Sequence, residues 1–228
     1  EPAGGADKNR MSRSNITLEP GKYAVYYVTD DSHSPRRWNS APPYDPQFWG
    51  LMISSDQAEI SVRKFDYDPL DREREILSLA PMRDDRYESE GFSLKQAMSL
   101  QIYAIGEGED DEMYDYGWII DASSREKVWQ MSYGNTIPAG GADKNRLYDG
   151  IIELPAGNYL ACFVTDGSHS YRHWNEAPPI NPDYWGLTIL FPEGEVNKNL
   201  IGEYNEDQDP NRIIGITRVR NHEHVEEK

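Results

Sequence analysis

The octapeptide Ala3-Gly4-Gly5-Ala6-Asp7-Lys8-Asn9-Arg10 recurs unchanged from Ala139 to Arg146, at an offset of 139 − 3 = 136. The match then continues without a gap. Thr29-Asp30 and Ser32-His33-Ser34 return as Thr165-Asp166 and Ser168-His169-Ser170, Trp38-Asn39 as Trp174-Asn175, Ala41-Pro42-Pro43 as Ala177-Pro178-Pro179, and Trp49-Gly50-Leu51 as Trp185-Gly186-Leu187. Roughly 30 of about 53 positions agree, and an ungapped match of that length marks a repeated structural unit. A weaker echo, at offset 137, aligns Ile76-Leu77-Ser78-Leu79 with Ile213-Ile214-Gly215-Ile216 and Arg83 with Arg220. On that register a unit boundary falls at Gly91/Phe92, so 1–91 lacks the counterpart of 92–136 and the chain reads as a window from a longer tandem array. The expected organisation is a partial β-sandwich repeat at 1–54 and an acidic connector at 55–91, this connector and the one at 192–228 each able to contribute a strand. A complete repeat at 92–191 and a second acidic connector at 192–228, leading to a further repeat, complete it.

Within the complete unit the apolar runs are short, aromatic or β-branched, and bounded by Gly, Pro or acidic turns, which predicts an all-β domain. Strands are expected near 92–95, 98–105, 116–121, 127–132, 148–154, 158–165 and 185–191. The run Leu100-Gln101-Ile102-Tyr103-Ala104-Ile105 alternates and predicts a half-buried strand, whereas Tyr159-Leu160-Ala161-Cys162-Phe163-Val164 is apolar on both faces and predicts a central one. Leu154-Pro155-Ala156-Gly157-Asn158 carries the turn between two strands, proline fixing φ and glycine tolerating φ > 0.

The order Phe92-Ser93-Leu94, Leu100 to Ile105, Asp115-Tyr116-Gly117-Trp118-Ile119-Ile120-Asp121, then Ile152-Glu153-Leu154-Pro155-Ala156-Gly157-Asn158-Tyr159-Leu160 resembles bacterial pre-peptidase C-terminal domains. The resemblance implies tandem jelly-roll-like β-sandwiches, of which the first is incomplete. It also implies a non-catalytic accessory module of an extracellular or cell-surface protein, related to sandwiches that bind carbohydrate or calcium. The sequence departs from that pattern by a long insertion, 168–184, before the last strand.

Composition narrows the partners. Lys and Arg number 23 against 40 Asp and Glu, a formal charge of −17 that repels nucleic-acid phosphates and anionic headgroups. Neutral ligands, cations, neighbouring repeats or identical chains remain. No apolar run approaches the roughly 20 residues of a membrane helix, so membrane insertion is not expected. A single cysteine, Cys162, excludes a disulfide framework or a four-cysteine zinc site within one chain.

The two copies agree in their loops and differ in their strands. Ala24/Leu160, Val25/Ala161, Tyr26/Cys162 and Tyr27/Phe163 all differ, whereas loops ordinarily drift faster than cores. The first constrained piece, 139–146, has paired glycines suited to positive φ and Asp, Asn and Arg side chains able to tie down loop backbone. It lacks the Gly-Lys-Ser/Thr ending of a phosphate loop. The second, 165–185, is long for a sandwich loop, and such loops are functional or self-packed. Two readings stand. As a platform, Trp174 stacks on a sugar while Asp166, His169, Arg172 and Asn175 give directional contacts, and Asp30, His33, Arg36, Trp38 and Asn39 do so in the other copy. As a mini-core, the tryptophans pack beneath the loop and the polar groups satisfy its backbone. Trp185 and Trp49, each opening a strand, are expected to be buried, and Trp174 and Trp38 exposed. Neither a Gly-x-Ser-x-Gly elbow nor a His-Glu-x-x-His helix is present, so an enzyme is not expected.

Glu107, Glu109, Asp110, Asp111 and Asp115 form a run of hard oxygen donors between two strands. No cofactor is demanded by the sequence, but calcium, with six to eight oxygen ligands in flexible geometry, is the one this cluster suits. Its alternative is a solvated acidic face. Asp66-Tyr67-Asp68 and Asp207-Gln208-Asp209-Pro210-Asn211 begin like calcium loops but lack the later glycine and glutamate, and His222-Glu223-His224 reads as a surface accident. The leading functional expectation is a binding or adhesive module using the 169–185 loop, with carbohydrate or calcium involved. Its alternative is an architectural stalk or fibre subunit with no small ligand.

Overall fold

The computed structural model describes residues 1–30, 32–55, 61–65 and 68–208. The motifs at 66–67, 209–211, 213–216 and 222–224 lie outside the described residues. Among the described residues eleven strands form two antiparallel sheets. They are β1 (Glu75–Leu79), β2 (Tyr87–Leu94), β3 (Met98–Glu109), β4 (Glu112–Met113), β5 (Tyr116–Asp121), β6 (Lys127–Gln130), β7 (Ile137–Pro138), β8 (Asn145–Leu154), β9 (Gly157–Val164), β10 (Gly186–Leu190) and β11 (Ile201–Glu203). One sheet runs β1-β10-β3-β8-β7, with β4 on the end of β3, and the other β11-β2-β9-β5-β6. All-β is therefore the observed class, and helical structure among the described residues is limited to three-residue 3-10 turns. No helix among them is long and apolar enough to cross a membrane.

The core fills the space between the sheets. Leu100, Ile102, Leu187 and Ile189 from one sheet and Phe92, Ile119, Ala161 and Phe163 from the other are each at most 2% exposed. Burying each of the larger side chains is worth about 1.5–3 kcal/mol. The doubly apolar run 159–164 lies centrally, β9 pairing with β2 on one side and β5 on the other. On β3 the alternating pattern does not leave an exposed face. Tyr103 and Ile105 are also buried, because the later loop lies over them: Asn181 Nδ2 donates to Tyr103 Oη at 2.9 Å, and Ile105 bridges to Trp185.

The expected boundary at Gly91/Phe92 falls inside β2, which pairs without a break from Tyr87↔Val164 to Leu94↔Gly157. The connector 55–91 thus supplies β1 and most of β2, and 192–228 supplies β11. The four residues Tyr87 to Glu90 are exposed, so β2 opens without the apolar signal that would extend the unit toward the N-terminus.

The first copy builds the loops of the repeat without its strands. Bridges Pro2↔Arg10 and Ser34↔Arg37 form, the latter matched by Ser170↔His173, and the 3-10 turn Pro46–Phe48 matches Pro182–Tyr184. Tyr23 Oη donates to Glu19 O at 2.6 Å, as Tyr159 Oη does to Pro155 O at 2.9 Å. Yet the segments aligned with β8, β9 and β10 form no ladder, and Ile16, Val25, Tyr27, Met52 and Ile53 are exposed. Within 1–54 the loops that match the second copy form, and no half-sandwich is seen among its described residues. In the second copy β8 pairs with β3, β9 with β2 and β5, and β10 with β1 and β3, and none of those partners has a counterpart within 1–54.

Candidate functional site

The loop geometry begins with the glycine pair. Gly140 and Gly141 have φ of +78° and +73°, and a Cβ on Gly141 would sit 1.9 Å from Pro178 O. Gly5, at φ +71°, faces Pro42 O at the same 1.9 Å. Only glycine lets the two loops meet this closely. Asn145 then clamps them, its Nδ2 donating to Gly140 O at 2.8 Å and Ala177 O at 2.9 Å. Asn9 makes the same pair of bonds to Gly4 O and Ala41 O, at 2.7 and 3.0 Å.

A histidine closes the knot. His169 Nε2 lies 2.7 Å from Asn145 Oδ1 and Nδ1 lies 2.7 Å from Asn175 Oδ1. His33 repeats this with Asn9 at 2.5 Å and Asn39 at 2.9 Å. Lys144 Nζ donates to Asn175 Oδ1 at 2.7 Å, and Lys8 contacts Asn39 likewise. His169 is fully buried, and burial, followed by the charge of Lys144, pushes its pKa down to about 4. Two oxygens facing one ring would suit a cationic imidazole, but burial opposes that charge. Asn145 is locked by its two carbonyls, so Nε2 carries the proton. Asn175 Oδ1, held by Lys144 Nζ, faces Nδ1 and opposes the downward shift without reversing it.

Three rings pack edge to face around this point. His169, Trp174 and Trp185 have centroid separations of 5.1, 5.6 and 5.0 Å, and His33, Trp38 and Trp49 have 5.0, 5.5 and 5.1 Å. Trp185 is fully buried and Trp174 half-buried, whereas Trp38 and Trp49 are both half-buried. The expected burial of Trp185 is seen, but Trp174, expected to be exposed, is half-buried against the core; Trp38 is likewise half-buried, and so is Trp49, expected to be buried, where the covering sheet is missing. Arg172 and Arg36 are exposed, with φ of 70° and 74°. Asp166 and Asp30 each accept from a backbone N–H two residues on, Ser168 and Ser32, at 2.9 Å.

The five acidic candidates separate into two groups. Glu109, Asp110 and Asp111 lie exposed at the β3–β4 hairpin, Asp110 and Asp111 with φ of 51° and 67°. Glu107 and Asp115 are buried, and Asp166 from the repeated loop joins them, one oxygen from each lying within 4.8 Å of the others. Comparison with protein-family models, curated proteins and solved structures finds no match to this chain. Asp115 Oδ1 accepts from Asp166 N at 2.8 Å and Oδ2 from Trp185 Nε1 at 2.9 Å. Burial, only partly offset by those bonds, raises its carboxyl pKa to about 8. Burial also raises Glu107, against the opposing pull of Lys144, whose Nζ lies 3.0 Å from Oε1.

The sequence pattern marks Asn145, as part of the unchanged octapeptide, and His169 from its repeat. It gives no sign that Asp115, outside the repeated stretch, meets the second loop. Only the pairing of β3 with β8 and of β5 with β9 brings these segments together.

Proposed function

We propose that the chain is a non-catalytic tandem-repeat assembly module, in which jelly-roll-like sandwiches are completed and joined through strands from a neighbouring repeat, as in a stalk or fibre. The observation that carries this reading is a contrast between two equivalent tryptophans. Trp185 Nε1 is satisfied by Asp115, whereas Trp49 Nε1 is buried with no acceptor among the described residues. A buried N–H left unpaired costs about 1–3 kcal/mol. The counterpart of Asp115 belongs to the part of the repeat that 1–54 lacks, so a strand-bearing partner would supply the missing acceptor together with the missing sheets. The exposed segments aligned with β8 to β10 offer that partner both ladder bonds and apolar area.

The strand order supports the jelly-roll part of the reading. Four strands ordered β1-β10-β3-β8 lie against four ordered β2-β9-β5-β6, the interleaving that two Greek keys produce. Against a sugar platform, Trp174 is packed by His169 and Trp185, and the polar tips of His169 and Asn145 are spent within the loop. The same engagement of both His169 ring nitrogens argues against a catalytic role.

Light scattering on the full chain and on residues 68–208 tests the proposal. The full chain should associate with rising concentration while 68–208 stays monomeric, and hydrogen exchange at 23–28 should slow on association. A full chain that stays monomeric, with 23–28 protected by its own residues, would overturn it.

A further inference from the structure

Glu107 carries an oxygen that the loop knot does not use. The residue is 5% exposed, its Oε1 faces Lys144 Nζ at 3.0 Å, and its Oε2 is buried with no hydrogen-bond partner. Burying an ionised carboxylate oxygen without a partner is costly. Asp115, also buried, and Asp166, which is exposed and opens the cluster to solvent, each bring an oxygen within 4.8 Å of the Glu107 carboxylate. Ionised, as a bound cation would hold them, the three carboxyl groups leave two formal negative charges against the single ammonium of Lys144. Glu176, 3.5 Å from the same ammonium, adds to them from the surface.

From this we infer that Glu107, Asp115 and Asp166 form a calcium site that ties the β3–β5 corner to the repeated loop. Ligands on opposite sides of a calcium ion, at roughly 2.3–2.6 Å each, stand about 4.6–5.2 Å apart. Oxygens within 4.8 Å of one another are therefore all within reach of one ion. Asp115 keeps lone pairs after accepting from Trp185 and Asp166, and Glu107 Oε2 gains the partner it lacks. Waters entering beside Asp166 complete the coordination number. Magnesium is disfavoured because it demands near-ideal octahedral geometry at roughly 2.0–2.1 Å, and two of the three carboxylates are already oriented by other bonds. The site is independent of the assembly reading, since its residues lie on or beside strands β3, β5 and β9 of the described sheets.

Terbium luminescence excited through tryptophan provides the test, because Trp185 is hydrogen-bonded to Asp115. The full chain should give sensitised terbium emission that calcium displaces, and calorimetry should show calcium binding near one equivalent. Glu107→Gln should weaken calcium binding by at least about tenfold, since affinity at such sites follows ligand charge. Asp166→Asn, at an exposed position, should do the same and decides the matter if the buried substitution unfolds the protein. Glu109→Gln, on the hairpin, should change nothing. Equal calcium affinity in Asp166→Asn and the unsubstituted chain, no displacement at millimolar calcium, or equal displacement by magnesium would each overturn the assignment.

Discussion

Trp185 Nε1 donates to Asp115 Oδ2 at 2.9 Å, fastening the end of the repeated loop to the start of β5. Its partner oxygen, Oδ1, accepts from Asp166 N at 2.8 Å, so one buried carboxyl group holds both ends of the 166–185 loop. Asp115→Ala strands the indole N–H in a dry site, at a cost of about 1–3 kcal/mol. Urea denaturation should show that loss as a lower midpoint with unchanged slope. An unshifted midpoint would mean that the bond contributes nothing net.

His169 and Asp115, both buried, pull stability in opposite directions with pH. His169, depressed to about 4 from 6.5, stays neutral in the folded protein while the unfolded chain takes up a proton, so its contribution is lost as pH falls from 6.5 toward 4. Asp115, raised to about 8 from 3.8, keeps its proton in the folded state, so its contribution is lost as pH rises from 3.8 toward 8. With calcium chelated, NMR should find the His169 ring neutral with the proton on Nε2 at pH 5.5. A charged ring at that pH would refute the assignment.

Glycine is required at the loop contact but not at every turn. Gly141→Ala places a methyl 1.9 Å from Pro178 O on a residue with φ +73°, and should cost about 1–3 kcal/mol from overpacking, with backbone strain added. Gly134→Ala, where a Cβ meets nothing within 4 Å, should leave the melting temperature nearly unchanged. Equal effects of the two would show that the contact relaxes freely.

The tryptophans of the second knot should respond differently to truncation. Trp185→Ala removes a fully buried ring and should cost about 3–5 kcal/mol. Trp174→Ala, at a half-buried ring, should cost less. Iodide should quench Trp174, Trp38 and Trp49 more than Trp185, measured in single-tryptophan variants. Protection of Trp49 equal to that of Trp185 would mean that its missing cover is supplied after all.

The amino-acid sequence by itself determined the repeat, the all-β class, the position of β3, β5, β6, β8, β9 and β10 to within a few residues, and the central place of β9. These rest on local information: self-similarity, period-two or doubly apolar runs, and turn residues between them. It also determined that the loops are constrained, and left platform and mini-core as rival claimants on Trp174. Tertiary structure decided the rest. The apolar run Ile76-Leu77-Ser78-Leu79 marks β1 locally, whereas the exposed, charge-rich start of β2 takes its strand character from pairing with β9, which no local pattern announces. Glu109, Asp110 and Asp111 adjoin Glu107 in sequence yet turn away at a hairpin, while Asp166, 51 residues from Asp115, bonds to it. Sheet register, a long-range property, sets which carboxylates share a site, because each strand fixes its side chains only relative to the strand beside it.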